Sequence, residues 1–295
     1  NIDAFTEAFG KDTLFRYAAK AFISKALVKE LDEKGWGIDV VSGGEMATVQ
    51  ETVGTLENTV FNGTFKRTDE IEYFIQNNGG HISIDNRYEI EMLEKAASSL
   101  KKKQPVIMRI NLDVGAETHP MVLTSGYDQQ FGISISFAEE ALNQIASSKS
   151  LLFSGIHVHI GSQIKDPERY KLAMSSCSEF MNSNLEKVEG EAVFNAGGGF
   201  FSPYAGEEVD HELTVYSQSI HDGVKEHWGE GYKIMIEPGR ALVNNPGVIL
   251  YTAGAIKADR GDKPYILVDG GMSDNPRPAL YGSEHKLFNI SGGKS

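Results

Sequence analysis

The sequence predicts an α/β protein built mainly from a closed (β/α)8 barrel, followed by the start of a smaller β domain. Short apolar runs rich in β-branched residues alternate with longer segments of helical periodicity, which is typical of a parallel sheet with helices packed outside it. There are eight such runs, the number that closes a barrel of this class, and the length of 295 residues suits one barrel.

The eight predicted strands are short and mostly apolar. They cover residues 14–18, 38–41, 59–61, 81–84, 106–110, 152–159, 192–195 and 233–236. Helical patterns follow most of them, at residues 24–34, 43–53, 88–101, 137–147, 167–181 and 213–228. In the first helix, Ala26, Leu27 and Leu31 recur at the spacing of one helix face, and Gly35 follows as a terminator.

Two parts of the chain depart from this alternation. Residues 112–136, which contain His119, form a long segment with no predicted element of its own, and a loop of that length is usually functional or mobile. Later, residues 248–258 and 265–268 are predicted strands with no helix between them. We therefore expect a barrel over residues 1–245 and an incomplete C-terminal β domain segment over residues 246–295.

The composition argues against several classes of function. The net charge of −13 argues against a nucleic-acid partner. No apolar run is long enough for a membrane span, and no signal peptide precedes the first strand, so we expect a cytoplasmic protein without a membrane partner. The single cysteine, Cys177, allows no intrachain disulfide and no cysteine-based metal site. Because the chain opens on Asn1 and not on Met, we expect a fragment or a trimmed chain.

Lys20 stands just past the end of the first predicted strand. In a barrel of this class the active site lies at the C-terminal ends of the strands, and a desolvated lysine amine there can form a Schiff base. A lone lysine would more often point to water. A lysine of the active site is favoured here over one that points to water, because polar residues recur at the ends of the other strands. These residues are Asp39, Ser42, Asn62, Asp85, Arg109, His159, Glu237 and Arg240.

Three glycines, Gly197, Gly198 and Gly199, follow the seventh predicted strand. Glycines at such a place let the backbone approach a ligand and present N–H groups to an anion, and these barrels often bind phosphate after strands seven and eight. A tight turn is an equally good interpretation. The sequence has neither a GxGxxG dinucleotide pattern nor a P-loop beside it.

Two further pairs of residues have two interpretations each. Glu237 and Arg240 either pair with each other or bind a ligand, the arginine a phosphate or carboxylate and the glutamate a ring nitrogen. His157 and His159 are expected on one face of the sixth strand, either as core histidines or beside a planar cofactor. No spacing typical of a metal site, such as HExxH, is present, so no metal is expected.

Arg277 and Tyr281 lie in a stretch with two glycines and two prolines that predicts a shaped loop. Both side chains could hydrogen-bond a substrate carboxylate. The alternative is a linker between domains.

The stretches YAAKAF, DVVSGGE, HVHIGSQI, NAGGGF, IEPGR and VDGGMSDNPRPALYG together resemble the motifs of the fold-type III pyridoxal-phosphate-dependent decarboxylases. The resemblance runs in matching order from about residue 12 to residue 286. It implies a barrel of the alanine racemase and group IV decarboxylase type. The implied reaction is the decarboxylation of meso-2,6-diaminopimelate to L-lysine, the last step of lysine biosynthesis.

The resemblance also implies a role for each matching residue. The expected catalytic residues are Lys20, which would hold pyridoxal 5'-phosphate as an internal aldimine, His159, which would stack on its ring, and Glu237, which would pair with the ring nitrogen. The other implied cofactor contacts are Asp39, Ser162, Gly197, Gly198, Gly199, Pro238, Gly239 and Arg240, with Glu45 supporting the site. Substrate carboxylates would be held by Arg240, Arg277 and Tyr281.

Glu237 favours decarboxylation over racemisation. A carboxylate beside the pyridine nitrogen keeps the ring a strong electron sink, which loss of CO2 requires, whereas the related alanine racemases have an arginine there. The spacing of Arg277 and Tyr281 favours a substrate with a second carboxylate. Decarboxylases of ornithine, arginine or carboxynorspermidine remain alternatives, as does a degenerate barrel that binds the cofactor without full activity. We expect a small amino-acid substrate and a homodimer.

The chain departs from the family pattern at Phe22, Thr64, Phe65 and Gln130. It also ends before the family's C-terminal Cys-Glu-Ser motif and a later tyrosine, which reach across the dimer. We therefore expect these 295 residues to bind the cofactor but to decarboxylate poorly.

Overall fold

The computed structural model describes residues 1–112, 130–203, 212–228, 231–259 and 263–290. Most of the long segment predicted at residues 112–136, His119 included, lies outside the described residues. The described chain divides into two compact units, one formed by Asn1–Phe201 and the segment that ends at Val243, the other taking in the segment from Asn244 onward. Within these ranges no helix is long and apolar enough to cross a membrane.

The strands and helices follow each other in the predicted alternation. The strands are β1 (Leu14–Ala18), β2 (Gly37–Val40), β3 (Thr59–Phe61), β4 (His81–Ile84), β5 (Gln104–Asn111), β6 (Ile133–Ser134), β7 (Leu151–His157), β8 (Ala192–Asn195), β9 (Tyr232–Ile236), β10 (Ala253–Lys257) and β11 (Tyr265–Val268). The helices are α1 (Ile2–Phe9), α2 (Lys25–Glu33), α3 (Gly43–Val53), α4 (Thr68–Gln76), α5 (Arg87–Ser99), α6 (Ile135–Ser147), α7 (Glu168–Asn182), α8 (Leu213–Trp228), α9 (Arg240–Val243) and α10 (Arg277–Tyr281).

Eight parallel strands of the first unit close into a barrel. Around the ring the order is β1, β2, β3, β4, β5, β7, β8 and β9, and β9 pairs with β1 to close it. The two-residue strand β6 pairs with the end of β5, outside this ring. The predicted (β/α)8 fold is thereby confirmed, and four of the predicted strands have the bounds of β1, β3, β4 and β8.

One predicted strand is too long, and the error moves a site residue. The run 152–159 was expected to form a single strand, but β7 ends at His157. The ladder between β7 and β8 stops at the pair His157 and Asn195, where β8 itself ends. On the other side of β7, the last two residues of β5 pair with β6 instead. His159 therefore lies in the loop after β7, and the prediction that it shares a strand face with His157 is wrong.

The barrel interior is layered, and the layers explain where the polar residues lie. Four apolar side chains from different strands form a buried cluster apart from the main core: Val60, Ile107, Val193 and Met235. Two residues further along the chain, at or just past the ends of these strands, stand Asn62, Arg109, Asn195 and Glu237. Because side chains alternate along a strand, these polar groups share the inward face one layer closer to the C-terminal ends.

A cluster of aromatic rings supports the glycine turn that follows β8. Phe200 stacks on Tyr170 with ring centroids 5.4 Å apart and meets Phe5 and Phe9 of α1 edge-on. The Tyr170 hydroxyl donates a hydrogen bond of 2.8 Å to the Gly198 carbonyl oxygen. Rings packed in this way give α1, α7 and the turn a shared core.

The second unit contains an antiparallel pair, β10 and β11. The second predicted strand there has the bounds of β11, whereas β10 is shorter than the predicted run 248–258. The predicted shaped loop around Arg277 is instead a short helix, α10, in which the Arg277 guanidinium lies 5.2 Å from the Tyr281 ring centroid. Pro276 and Pro278 fit a helix start, because proline needs no backbone N–H partner in the first turn.

Candidate active site

Polar side chains converge at the C-terminal ends of the barrel strands. Asp39 is the last residue but one of β2, Asn62 and Glu237 follow β3 and β9, and Asn195 ends β8. All four are buried, with at most 5% of each residue exposed. A buried polar cluster in an otherwise apolar barrel costs free energy unless its members bond one another, so its presence indicates a site.

Glu237 is the centre of this cluster. Its Oε1 accepts hydrogen bonds from the side-chain amides of Asn62, at 2.8 Å, and Asn195, at 2.6 Å. The Asn62 amide also donates to Asp39 Oδ1 at 2.8 Å, and Asn195 Oδ1 accepts the backbone N–H of Gly197 at 2.9 Å. The amides thus hold the Glu237 carboxylate through one oxygen and tie it to the ends of β3 and β8, on either side of β9 in the ring.

Lys20 lies in the one-turn 3-10 helix Ala19–Ala21, directly after β1, and is exposed. Its charge reaches the buried cluster. Burial raises the pKa of Asp39 to about 7, the charge of Glu237 adds to the rise, and the Lys20 ammonium opposes it. The ammonium also lowers the pKa of His157 and His159, although burial is the larger cause in both. The Lys20 charge therefore acts on Asp39 and His159, two of the residues predicted to share its site.

Two histidines lie on different elements of the site. His157 is buried in the barrel, with its Nδ1 3.0 Å from the Ser83 hydroxyl and its Nε2 3.4 Å from Glu237 Oε2. His159, in the loop after β7, accepts the Gly198 backbone N–H at Nδ1 over 3.2 Å. That bond leaves the proton of a neutral His159 on Nε2. Burial keeps the pKa of both imidazoles well below the ordinary value, so both are neutral near pH 7.

The glycine turn passes so close to its neighbours that only glycine fits. A Cβ on Gly198 would lie 2.3 Å from the Glu237 carbonyl oxygen, and one on Gly199 would lie 2.2 Å from that of Gly161. Gly197 and Gly199 also have positive φ angles of 67° and 97°, which other residues adopt at a cost. The N–H groups of Gly197 and Gly198 are bonded within the protein, to Asn195 and His159.

The loop after β9 brings the EPGR motif against the turn that carries Lys20. The Ala18 backbone N–H donates to the Pro238 carbonyl oxygen at 3.1 Å. A Cβ on Gly239 would lie 3.1 Å from the Ala18 Cβ and 3.2 Å from that of Ala21, so glycine lets the two segments meet. Arg240 then begins α9 and is half-buried. This contact places the segment that bears Glu237 next to the segment that bears Lys20.

The remaining predicted site residues have different positions. Ser162 is exposed in the loop after β7, beside the glycine turn, where the Ile164 N–H donates to the Gly199 carbonyl oxygen at 2.9 Å. Glu45, in the first turn of α3, accepts the Val41 N–H at 2.6 Å, and burial raises its pKa. The other two, Arg277 and Tyr281, belong to the second unit.

Sequence reasoning missed a buried ion pair behind the site. The Lys66 Nζ lies 2.9 Å from Glu89 Oε2, and the two side chains are 0% and 3% exposed. Glu89 Oε2 also accepts the Asp85 backbone N–H at 2.9 Å, and Asp85 Oδ1 accepts a hydrogen bond from Arg109 at 3.1 Å. No motif marks Lys66 or Glu89, because the same residue types lie on solvated surfaces elsewhere in the chain.

The raised pKa of Asp39 predicts how the free energy of unfolding of the cofactor-free protein depends on pH. Its pKa is raised from 3.8 to about 7, first by burial, so the folded chain keeps a proton there that the unfolded chain releases. The contribution of this proton to stability is complete below about pH 4 and declines as the pH rises to about 7.

We expect Asp39→Asn, which cannot ionise, to flatten this decline in the free energy of unfolding, measured with urea at each pH. Asp12→Asn, at an exposed carboxylate, is the control. Equal declines in wild type and Asp39→Asn would contradict this assignment.

The residues brought together fit a flat cofactor with an aldehyde, a ring nitrogen and a phosphate. Lys20 supplies an exposed amine. Glu237 supplies a carboxylate whose Oε1 accepts both amide hydrogen bonds, which leaves its Oε2 bonded to neither amide. His157 Nε2 is buried without a hydrogen-bond partner, which marks a polar interior. The glycine turn allows a close backbone approach. Among the described residues, no group of three His, Cys, Asp or Glu is arranged to hold a metal ion.

Comparison with known families gives one match over most of the chain. Residues 1–244 match the family model described as "Pyridoxal-dependent decarboxylase, pyridoxal binding domain". The chain is 35% identical over 293 residues to the diaminopimelate decarboxylase of Bacillus subtilis (strain 168), which covers 96% of this chain and 67% of that protein. The chain spans 64 to 67% of the length of this and a second curated relative.

Solved structures give the same picture. A crystal structure of diaminopimelate decarboxylase from M. jannaschi superposes with a TM-score of 0.87 at 29% identity, over 96% of this chain and 68% of that one. A structure of diaminopimelate decarboxylase from Helicobacter pylori complexed with L-lysine superposes with a TM-score of 0.86 at 28% identity, over 100% of this chain and 75% of that one.

Proposed function

Because the chain belongs to the family of pyridoxal-dependent decarboxylases, we propose that it decarboxylates meso-2,6-diaminopimelate to L-lysine, the last step of lysine biosynthesis, with pyridoxal 5'-phosphate as cofactor. Relatives at 31 to 35% identity are diaminopimelate decarboxylases. The observation on which the proposal rests is a buried carboxylate, Glu237, held by two side-chain amides at the barrel mouth, on a segment that meets the turn bearing Lys20.

The cofactor, when bound, supplies an electron sink for the carbon that loses CO2. This chain would supply the groups that hold and tune it. Lys20 is the nucleophile that would bind the aldehyde carbon, and Glu237 would accept a hydrogen bond from the protonated ring nitrogen. His159 would lie against the ring, with its imidazole neutral and fixed through Nδ1 by Gly198.

The surroundings of Glu237 suit that role. Asn62 and Asn195 aim two N–H groups at Oε1, which orients the carboxylate and leaves Oε2 for a further donor. Asp39 lies behind it and shares the Asn62 amide. A carboxylate fixed in this way needs little reorganisation when it meets a positive ring nitrogen.

We assign the phosphate to Ser162 and to Gly197, Gly198 and Gly199, with Pro238, Gly239 and Arg240 as further cofactor contacts. The close backbone approach at the glycine turn supports this assignment. Because the Gly197 and Gly198 N–H groups are bonded internally, their part would be to shape the turn, and donors to the phosphate would come from Ser162 and Arg240.

Substrate carboxylates are assigned to Arg240 in the barrel and, by their chemistry, to Arg277 and Tyr281. The alternatives are decarboxylases of ornithine, arginine or carboxynorspermidine, and a barrel that binds the cofactor without full activity. The purified protein, supplied with cofactor, would be tested for CO2 release from each amino acid in parallel. Release from meso-diaminopimelate above the others supports the proposal. Release from another amino acid in preference to it contradicts the proposal. A bound cofactor without release from any of them selects the alternative of a barrel that binds the cofactor without full activity.

We further propose a cytoplasmic homodimer, with a cofactor-binding barrel over residues 1–245 and a β domain segment over residues 246–295. The dimer is implied by the resemblance to the family. The cytoplasm is supported by the single cysteine, Cys177, which is buried in α7 and excludes an intrachain disulfide. Sedimentation of the purified protein would test the dimer.

A further inference from the structure

A buried hydrogen-bonded pair, Ser83 and His157, stands directly behind the Glu237 carboxylate. Ser83, on β4, is 1% exposed, and His157, at the end of β7, is 2% exposed. The Ser83 hydroxyl lies 3.0 Å from His157 Nδ1, and His157 Nε2 lies 3.4 Å from Glu237 Oε2. Three strands from different parts of the ring thus contribute to one row of polar groups.

The chemistry of the three groups selects one arrangement of protons. Burial keeps the pKa of His157 well below its ordinary value, so the imidazole is neutral and carries one N–H. An ionised carboxylate only accepts hydrogen bonds, so a bare Nε2 facing Glu237 Oε2 would set two lone pairs against each other. With the proton on Nε2, the imidazole faces the carboxylate as a donor and the Ser83 hydroxyl donates to Nδ1. Only this tautomer sets a donor against an acceptor at both contacts of the row.

We propose that His157 is a positioning residue, whose Nε2–H is directed by Ser83 toward Oε2 of Glu237 and fixes the plane of that carboxylate. The proposal rests on the proposed function, because the plane of Glu237 matters only if the carboxylate receives a cofactor ring nitrogen. Oε1 is held by Asn62 and Asn195, and among the residues that the structure describes His157 is the group set against the second oxygen. An oxygen has two lone-pair directions, and one remains for the ring nitrogen.

The distance of 3.4 Å is longer than an ordinary N–H···O bond, so in this structure the contact is an orienting one. Hydrogen bonds of a catalytic centre are often long before the ligand binds and shorten when it does. A purely space-filling role would not require an imidazole, since burying its polar atoms costs free energy that an apolar residue would avoid.

The first test needs no cofactor. In protein labelled with ¹⁵N-histidine, long-range proton–nitrogen NMR reports which ring nitrogen carries the proton, and the His157→Gln spectrum assigns the signal. We expect the Nε2–H tautomer in wild type and a mixture in Ser83→Ala, where Nδ1 loses its donor. A proton on Nδ1 of wild-type His157 would overturn the proposal.

The second test compares two amide replacements. In His157→Gln the side-chain amide reaches the position of Nε2, whereas in His157→Asn it reaches only the position of Nδ1. Titration with pyridoxal phosphate, followed by its visible absorbance, should show affinity about 10- to 100-fold weaker for His157→Asn, the size of effect expected for a lost hydrogen bond to a charged group, and near wild type for His157→Gln. Thermal melting without cofactor checks that both variants fold.

The outcomes separate this inference from the proposed function. Equal affinities of the two variants would show that His157 only fills space and would overturn the inference, while wild-type binding would leave the proposed function standing. If wild type bound no pyridoxal phosphate, the proposed function would fail and the inference with it. If the amide variants did not fold, Ser83→Ala would take their place. Wild-type affinity of that variant for pyridoxal phosphate would then overturn the proposal that Ser83 directs His157 toward Glu237.

Discussion

Glu237→Gln is expected to slow decarboxylation by about 10²-fold or more, the size of effect seen when one preorganised electrostatic partner is lost from an active site. Glutamine keeps the volume of the side chain, and its carbonyl oxygen can still accept the amides of Asn62 and Asn195. Its amide nitrogen, however, replaces Oε2 and cannot accept a hydrogen bond from a protonated ring nitrogen. The fold and the attachment of the cofactor at Lys20 should persist while turnover falls.

Turnover and cofactor absorbance would be measured together for this variant. Glu191→Gln is the matched control, because Glu191 lies just before β8, at the opposite end of the barrel, with 58% of its side chain exposed. The control should keep its rate. A Glu237→Gln protein that turns over at the wild-type rate would show that this carboxylate does not tune the cofactor.

Lys66→Met should lower the free energy of unfolding by about 3–5 kcal/mol, the cost of removing one partner from a buried ion pair. Lys66 is fully buried, and it donates to the Gly63 carbonyl oxygen at 2.8 Å as well as to Glu89. Burial lowers the pKa of Lys66 and raises that of Glu89, so each partner depends on the other to stay charged. Methionine would leave Glu89 buried without its counter-charge.

Urea unfolding would measure this loss, with Lys25→Met as the control. Lys25 pairs with Glu51 at 2.7 Å, but both side chains are more than 60% exposed, so the control should change stability little. A double variant, Lys66→Met with Glu89→Leu, should recover part of the loss because no unpaired charge remains. Equal free energies of unfolding for Lys66→Met and Lys25→Met would contradict the stabilising role of the buried pair of Lys66 and Glu89.

Much of the barrel could be predicted because its signals are local. Each strand is a short apolar run, and four predictions, among them 14–18 for β1, have the observed bounds. The polar residues at the strand ends were recognisable for the same reason. Asn62 and Glu237 each stand two residues beyond an inward apolar residue, so alternation alone places them on the inner face.

The rest depended on contacts between distant strands. The end of β7 at His157 depends on both neighbouring strands, because β8 ends there and the last residues of β5 pair with β6, so the apolar run continuing to His159 misled the strand prediction. The partnership of Ser83 with His157 joins residues 74 positions apart, and that of Lys66 with Glu89 requires knowledge of burial. Helix α10 was missed because its prolines and glycines are also typical of loops.

In the proposed function, the Lys20 amine binds the cofactor covalently and Glu237 receives its ring nitrogen. Borohydride reduction of the cofactor-loaded protein, followed by peptide mapping with mass spectrometry, tests this covalent attachment most directly, because reduction makes the bond permanent at the lysine that formed it. We predict one pyridoxyl group per chain, on the peptide that contains Lys20, and none in Lys20→Ala. Label on another lysine, or no label in wild-type protein that carries the cofactor's visible band, would contradict the account.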